Sequence, residues 1–149
     1  MKTTLYGREL RAVYGPSPAL TPPRNKVTNA QDAFTVLAPL LESAAEEHAV
    51  VLLLDARHQL IAISQVSSGG VSGTVVDPKV VFRAALLTNS SGMIFAHNHP
   101  SGDAAPSPED LAMTRRLTEA GEVLGCPLLD SLVIGDGRYY SCRDNGVLR

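Results

Sequence analysis

Val50-Val51-Leu52-Leu53-Leu54 is an unbroken apolar run closed by Asp55. Such a run fits a strand buried on both faces, so the chain must supply cover for both sides of a sheet. A short polar turn, Ala56-Arg57-His58-Gln59, follows, and Leu60 to Val66 reads as a second strand pairing with the first as a hairpin. Met93 to Ala96 is another strand. Leu128 to Ile134, the Gly135-Asp136-Gly137 turn and Arg138 to Cys142 read as a closing hairpin.

The cover comes from segments with helical spacing. Ala33, Val36, Leu37, Leu40 and Leu41 recur on one helical face, with Thr28 or Asn29 as the cap and Pro39 as a kink. Asp77-Pro78 is a helix start, an N-cap followed by proline at the first helical position, for a helix running through Phe82, Ala85 and Leu86 to about Thr88. Ser107-Pro108 opens a third helix through Leu111, Met113, Leu117 and Ala120, expected to stop near Gly121. Ser67-Ser68-Gly69-Gly70 reads as a loop, and Gly73 to Val76 as a short edge strand. Helices interleaved with strands imply an α/β fold, a mixed β-sheet flanked by helices.

With 149 residues the chain fits one domain able to bury a core. Residues 1–27 contain Pro16, Pro18, Pro22 and Pro23 and lack periodicity, so they are expected to form an extended N-terminal arm, with the domain at 28–149. The formal charge of -2 gives no global reason to expect strong direct nucleic-acid binding. Arg115-Arg116, the densest basic pair, falls on a helix as a solvated face. No apolar run is long enough to cross a bilayer, and Met1 to Tyr6 has no apolar core of the signal type. Cys126 and Cys142 lack CxxC spacing and are expected to be reduced, buried thiols in a cytoplasmic protein.

Half of the four histidines fall in His97-Asn98-His99-Pro100. Residues two apart on a strand project from one face, so His97 and His99 can converge on one ion from the strand's end. Two imidazoles with Asp110 and an open fourth position suit a hydrolytic zinc site. Ser107-Pro108-Glu109-Asp110 is also a capping box: serine at N-cap, proline at N1, acid at N3. These readings are compatible, because a capped helix start holds a carboxylate rigidly. Asn98 and Ser101 read as loop-shaping residues, and Gly102 as a turn former.

HxHP, with seven residues between His99 and Ser107, then SxxD resembles the JAMM signature of JAB/MPN zinc metallopeptidases. HNHPSGD followed by PSPED is similar to the RadC branch of that family, as are VVLLLDARHQLIA, LLDSLVIGDGRYYS and NGVL in the same order. The resemblance covers about residues 28–149. It implies a mixed sheet flanked by helices, related to cytidine deaminases, with His97, His99 and Asp110 binding Zn²⁺. It further implies that Ser107 stabilises the oxyanion and that an upstream glutamate is the general base. Glu47 is the candidate by its position before VVLLLD, with Glu42 and Glu46 as neighbours. Two features depart from the RadC pattern. Leu129-Asp130-Ser131 stands where the family reads LDH, so a changed pocket wall is expected, and the helix-hairpin-helix region of full-length RadC proteins has no counterpart in this sequence.

Zinc brings the pKa of its bound water to about 7, and a glutamate can carry the proton to a leaving amine. The expected activity is hydrolysis of a peptide or isopeptide. The alternative is a non-catalytic DNA-repair or DNA-processing accessory protein of the RadC type. A zinc deaminase would need a Pro-Cys-x-x-Cys pair, which Cys126-Pro127 does not provide. An HNH nuclease would spread its residues over a ββα unit rather than hold them contiguous.

Overall fold

The computed structural model describes residues 2–5, 8–11, 26–42, 44–68 and 76–148. Its elements are β1 (Lys2–Leu5), β2 (Arg8–Arg11), α1 (Ala30–Leu41), β3 (His48–Leu54), β4 (Leu60–Ser68), α2 (Pro78–Leu87), β5 (Gly92–Asn98), α3 (Pro108–Leu124), β6 (Leu128–Gly135) and β7 (Arg138–Ser141). β3 to β7 form one five-stranded sheet in the order β4-β3-β5-β6-β7. Only β5 and β6 run parallel; the other neighbours are antiparallel. The sheet is mixed and the fold is α/β, as expected.

The apolar run in β3 divides by parity. Ala49, Val51 and Leu53 join Met93 and Phe95 of β5 in a core with Phe82 of α2 and Leu117 of α3. Val50, Leu52 and Leu54 join Ile94 and Ala96 against Ala33, Leu37 and Leu41 of α1. Two cores, one on each face, explain why β3 from Ala49 onward and β5 as far as Ala96 carry no polar alternate. Parallel strands need a crossover, and α3 supplies it between β5 and β6, so the start of α3 must lie near the C-terminal end of β5.

Side chains hold the ends of these elements. Asn29 caps α1 by accepting from the Asp32 N–H at 2.8 Å, and Asp77 caps α2 by accepting from the Lys79 N–H at 2.9 Å. Asp130 is buried, and burial pushes its carboxyl above the ordinary carboxylate range against the opposing effect of its hydrogen bonds. It accepts from the Ser141 hydroxyl at 2.5 Å and the Arg143 N–H at 3.0 Å, tying β6 to the turn after β7.

Several expectations change. α3 continues past Gly121 to Leu124 and ends at Gly125, whose φ of 72° is the left-handed cap. Gly121 is instead a point of close approach: a Cβ there would lie 2.6 Å from the Cys126 carbonyl oxygen and 3.2 Å from the Leu128 nitrogen. α1 runs through Pro39 and stops two residues later. Within the expected arm, β1 and β2 pair antiparallel as a separate two-stranded sheet, with Thr3 opposite Leu10. The four arm prolines, Gly69, Gly70 and residues 73–75 of the expected edge strand lie outside the described residues.

Gly121→Ala tests the close approach. Alanine normally favours a helix over glycine by about 1 kcal/mol. Here the obstructing atoms are backbone, so a net loss of about 1–3 kcal/mol is expected, read as a lowered urea midpoint with unchanged slope.

Candidate metal centre

The parity that splits the two cores also sets the direction of the histidines. His97 follows Phe95 on the face toward α3, and the two rings lie 5.9 Å apart. His99 lies just past β5, yet its N–H still donates to the Ile134 carbonyl at 2.8 Å, continuing the ladder to β6. The two Nε2 atoms are 3.2 Å apart.

α3 begins against them. Its capping box is complete: the Asp110 N–H donates to Ser107 Oγ at 3.1 Å, and the Ser107 N–H donates to Asp110 Oδ2 at 2.8 Å. The same carboxylate places Oδ1 at 3.1 Å from His97 Nε2 and Oδ2 at 3.0 Å from His99 Nε2. Burial alone would raise the Asp110 pKa; the His97 ring and the Ser107 hydrogen bonds outweigh it and hold the carboxyl well below the ordinary range.

The proton count at His99 is informative. Its Nδ1 lies 2.8 Å from the Asp103 carbonyl oxygen, which can only accept, so Nδ1 carries the proton. In the neutral ring Nε2 then presents a lone pair toward the Asp110 carboxylate at 3.0 Å. Two acceptors facing each other at that distance require a second proton or a cation between them. His97 is also buried, and its Nδ1 has no hydrogen-bond partner among the described residues.

Glu47 completes the group. One ligand atom from each of Glu47, His97, His99 and Asp110 can be chosen so that all lie within 4.8 Å of one another, an arrangement that could hold a metal ion. Glu47 Oε1 is 4.0 Å from His97 Nε2. Ala49 pairs with His97, so Glu47, two residues earlier, has the parity of that face. Glu42 and Glu46 are exposed and do not join the group. Ser107 enters through Asp110: accepting the Asp110 N–H leaves its own O–H proton to donate elsewhere.

Asn98 differs from its expected loop-shaping role. It is the last residue of β5 and is buried, with its amide bonded to the chain around Glu47. Those contacts span about fifty positions, so local sequence carried no signal for them. Gly102 does take the expected turn, with φ of 88°, and Ser101 Oγ accepts from the Asp103 N–H at 3.4 Å. A cavity of about 370 Å³ adjoins His99, lined in part by Leu41, Glu42, Asn98, Ser101 and Asp136. Ser131 is not in that wall. It is buried beneath α3, its Oγ accepting from the Thr114 hydroxyl at 3.0 Å.

A mixed sheet covered by helices, with a Glu-His-His-Asp group at a strand end, defines the class as a JAB/MPN-type domain carrying a JAMM-like site. Residues 27–147 match the model of the RadC-like JAB domain, and the chain belongs to that family. A UPF0758 protein of Methanococcoides burtonii is 40% identical over 126 residues, covering 85% of this chain and 55% of the relative. A UPF0758 protein of Symbiobacterium thermophilum is 42% identical over 125 residues, covering 84% of this chain and 53% of the relative. The chain spans about half the length of these curated relatives.

The loop that orients His99 rests on a glycine. A Cβ at Gly135 would lie 2.7 Å from the Gly102 carbonyl oxygen and 3.2 Å from the Ala104 nitrogen. Gly135→Ala is expected to displace the Asp103 carbonyl and weaken metal affinity at least about tenfold, measured by chelator competition. Near-UV circular dichroism of the variant should remain native-like.

Proposed function

We propose that this chain is a zinc-dependent hydrolase of peptide or isopeptide bonds, working by the JAMM mechanism. The observation that carries the reading is the convergence of His97 Nε2, His99 Nε2 and the Asp110 carboxylate within 3.0–3.2 Å of one another, with Glu47 beside them. A tetrahedral zinc site with bonds of about 2.0–2.1 Å has ligand–ligand edges of roughly 3.3 Å. The contacts of 3.0–3.2 Å among the three side chains approach those edges. Zinc is favoured by the donor set, two imidazoles and one carboxylate, with a position left open.

His97, His99 and Asp110 would hold the ion, which when bound supplies a water acidic enough to ionise near neutral pH and polarises the scissile carbonyl. Glu47 is the general base. It receives the proton of the attacking water and delivers it to the leaving amine, so the proton leaves with the product. Ser107 donates its hydroxyl hydrogen to the oxygen that gains charge as the carbonyl carbon becomes tetrahedral. Cys126 and Cys142 are buried free thiols, which supports a cytoplasmic setting.

The test combines metal content with turnover of two probes, a quenched-fluorescent peptide library and lysine-isopeptide-linked peptides. Wild type should carry one zinc per chain, His97→Ala should lose it, and Glu47→Gln should keep it while turnover falls about 10²–10⁴-fold. Metal-free wild type, or full activity in Glu47→Gln, would overturn the assignment.

A further inference from the structure

We propose that Asn98 is the positioning residue for Glu47: its amide pins both peptide planes that meet at the Glu47 Cα. The inference rests on the reading of Glu47 as the base. The β3–β5 ladder ends at the pair Ala49–His97. Beyond that pair, the Asn98 side chain takes over. Its Oδ1 accepts from the His48 N–H at 2.7 Å, and its Nδ2 donates to the Glu46 carbonyl at 3.0 Å.

The Glu46 carbonyl belongs to the peptide entering Glu47, and the His48 N–H to the peptide leaving it. Fixing both planes fixes φ and ψ at Glu47, and with them the direction of its Cα–Cβ bond. A carboxylate carried on two further single bonds is thereby aimed from a set backbone rather than from a free strand end.

The residue type is demanding. One short side chain must accept and donate at once, which an amide does and a carboxylate or an aliphatic group does not. Asn98 is 3% exposed, so water is poorly placed to substitute for it. Its neighbours are His97 and His99. The alternation of β5 therefore sends two proposed ligands toward α3 and turns the intervening side chain to the backbone that carries the proposed base.

A structural role and a positioning role make different predictions in a double-mutant cycle. Asn98→Ala should lower kcat on the peptide and isopeptide probes about 10–100-fold, the range for a small misplacement of a reacting group, with KM and zinc content unchanged. Placed on Glu47→Gln, it should cost no further turnover, because the group it aims is already disabled. Equal losses in both backgrounds would overturn the inference, as would wild-type kcat in Asn98→Ala.

Asn98→Asp supplies a second variant should alanine compromise folding. It keeps an acceptor for the His48 N–H and loses the donor to Glu46, and it too should lower kcat only when Glu47 is intact. Amide hydrogen exchange gives a readout free of any substrate: the His48 N–H should exchange at least tenfold faster in Asn98→Ala. A crystal structure of that variant should show Glu47 Oε1 displaced from its 4.0 Å approach to His97 Nε2. Unchanged His48 exchange with Glu47 in place would overturn the inference whatever the turnover. Full activity in Glu47→Gln would instead remove the reading on which it stands, while leaving the exchange result to report on the backbone clamp alone.

Discussion

The two-residue alternation of β5, in a sheet packed on both faces, is the constraint on which this molecule depends. Met93, Phe95 and His97 point one way; Ile94, Ala96 and Asn98 point the other. Slipping the strand by one residue would bury both imidazoles under α1 and leave Asp110 across the sheet from them. The apolar residues make that slip costly, because each would exchange a shaped core for the wrong one. Hydrophobic packing, rather than any polar contact, therefore brings the histidines to the face where α3 begins.

Much of this was legible because it is local. The two-residue spacing of His97 and His99 is a strand property, and Ser107 to Asp110 is a helix-start property. The crossover joins them within a short stretch of chain. Burial of β3 on both faces could be read in its uninterrupted apolar run, while which residue faces which core appears only in the packing. The end of α3 was misread for a different reason. Gly121 looks like a cap in sequence, but the chain folds back after Gly125 and brings Cys126 against the helix, so the glycine serves an approach that appears only in three dimensions.

Contacts between distant segments were the illegible part. Three glutamates precede β3, and their sequence positions do not distinguish them physically. The pairing of Ala49 with His97 does, by giving Glu47 the parity of the metal-site face. Asn98 and Asp130 show a related rule. Both are buried polar side chains placed where a ladder stops, and each bonds backbone groups that the neighbouring strand leaves unpaired. Composition reports such residues only as polar letters inside apolar strings.

Asp110 Oδ2 belongs to two structures at once, accepting from the Ser107 N–H that opens α3 and facing His99 across the centre. α3 spans 17 residues and lays Leu117 into one of the two cores. Whatever neutralises the facing lone pairs also fastens the first turn of this crossover, so occupancy of the centre and integrity of the parallel β5–β6 unit share one thermodynamic cycle. The melting behaviour of the domain would then gauge its cargo: an ion held by the side chains of Glu47, His97, His99 and Asp110 would be a clasp on the fold.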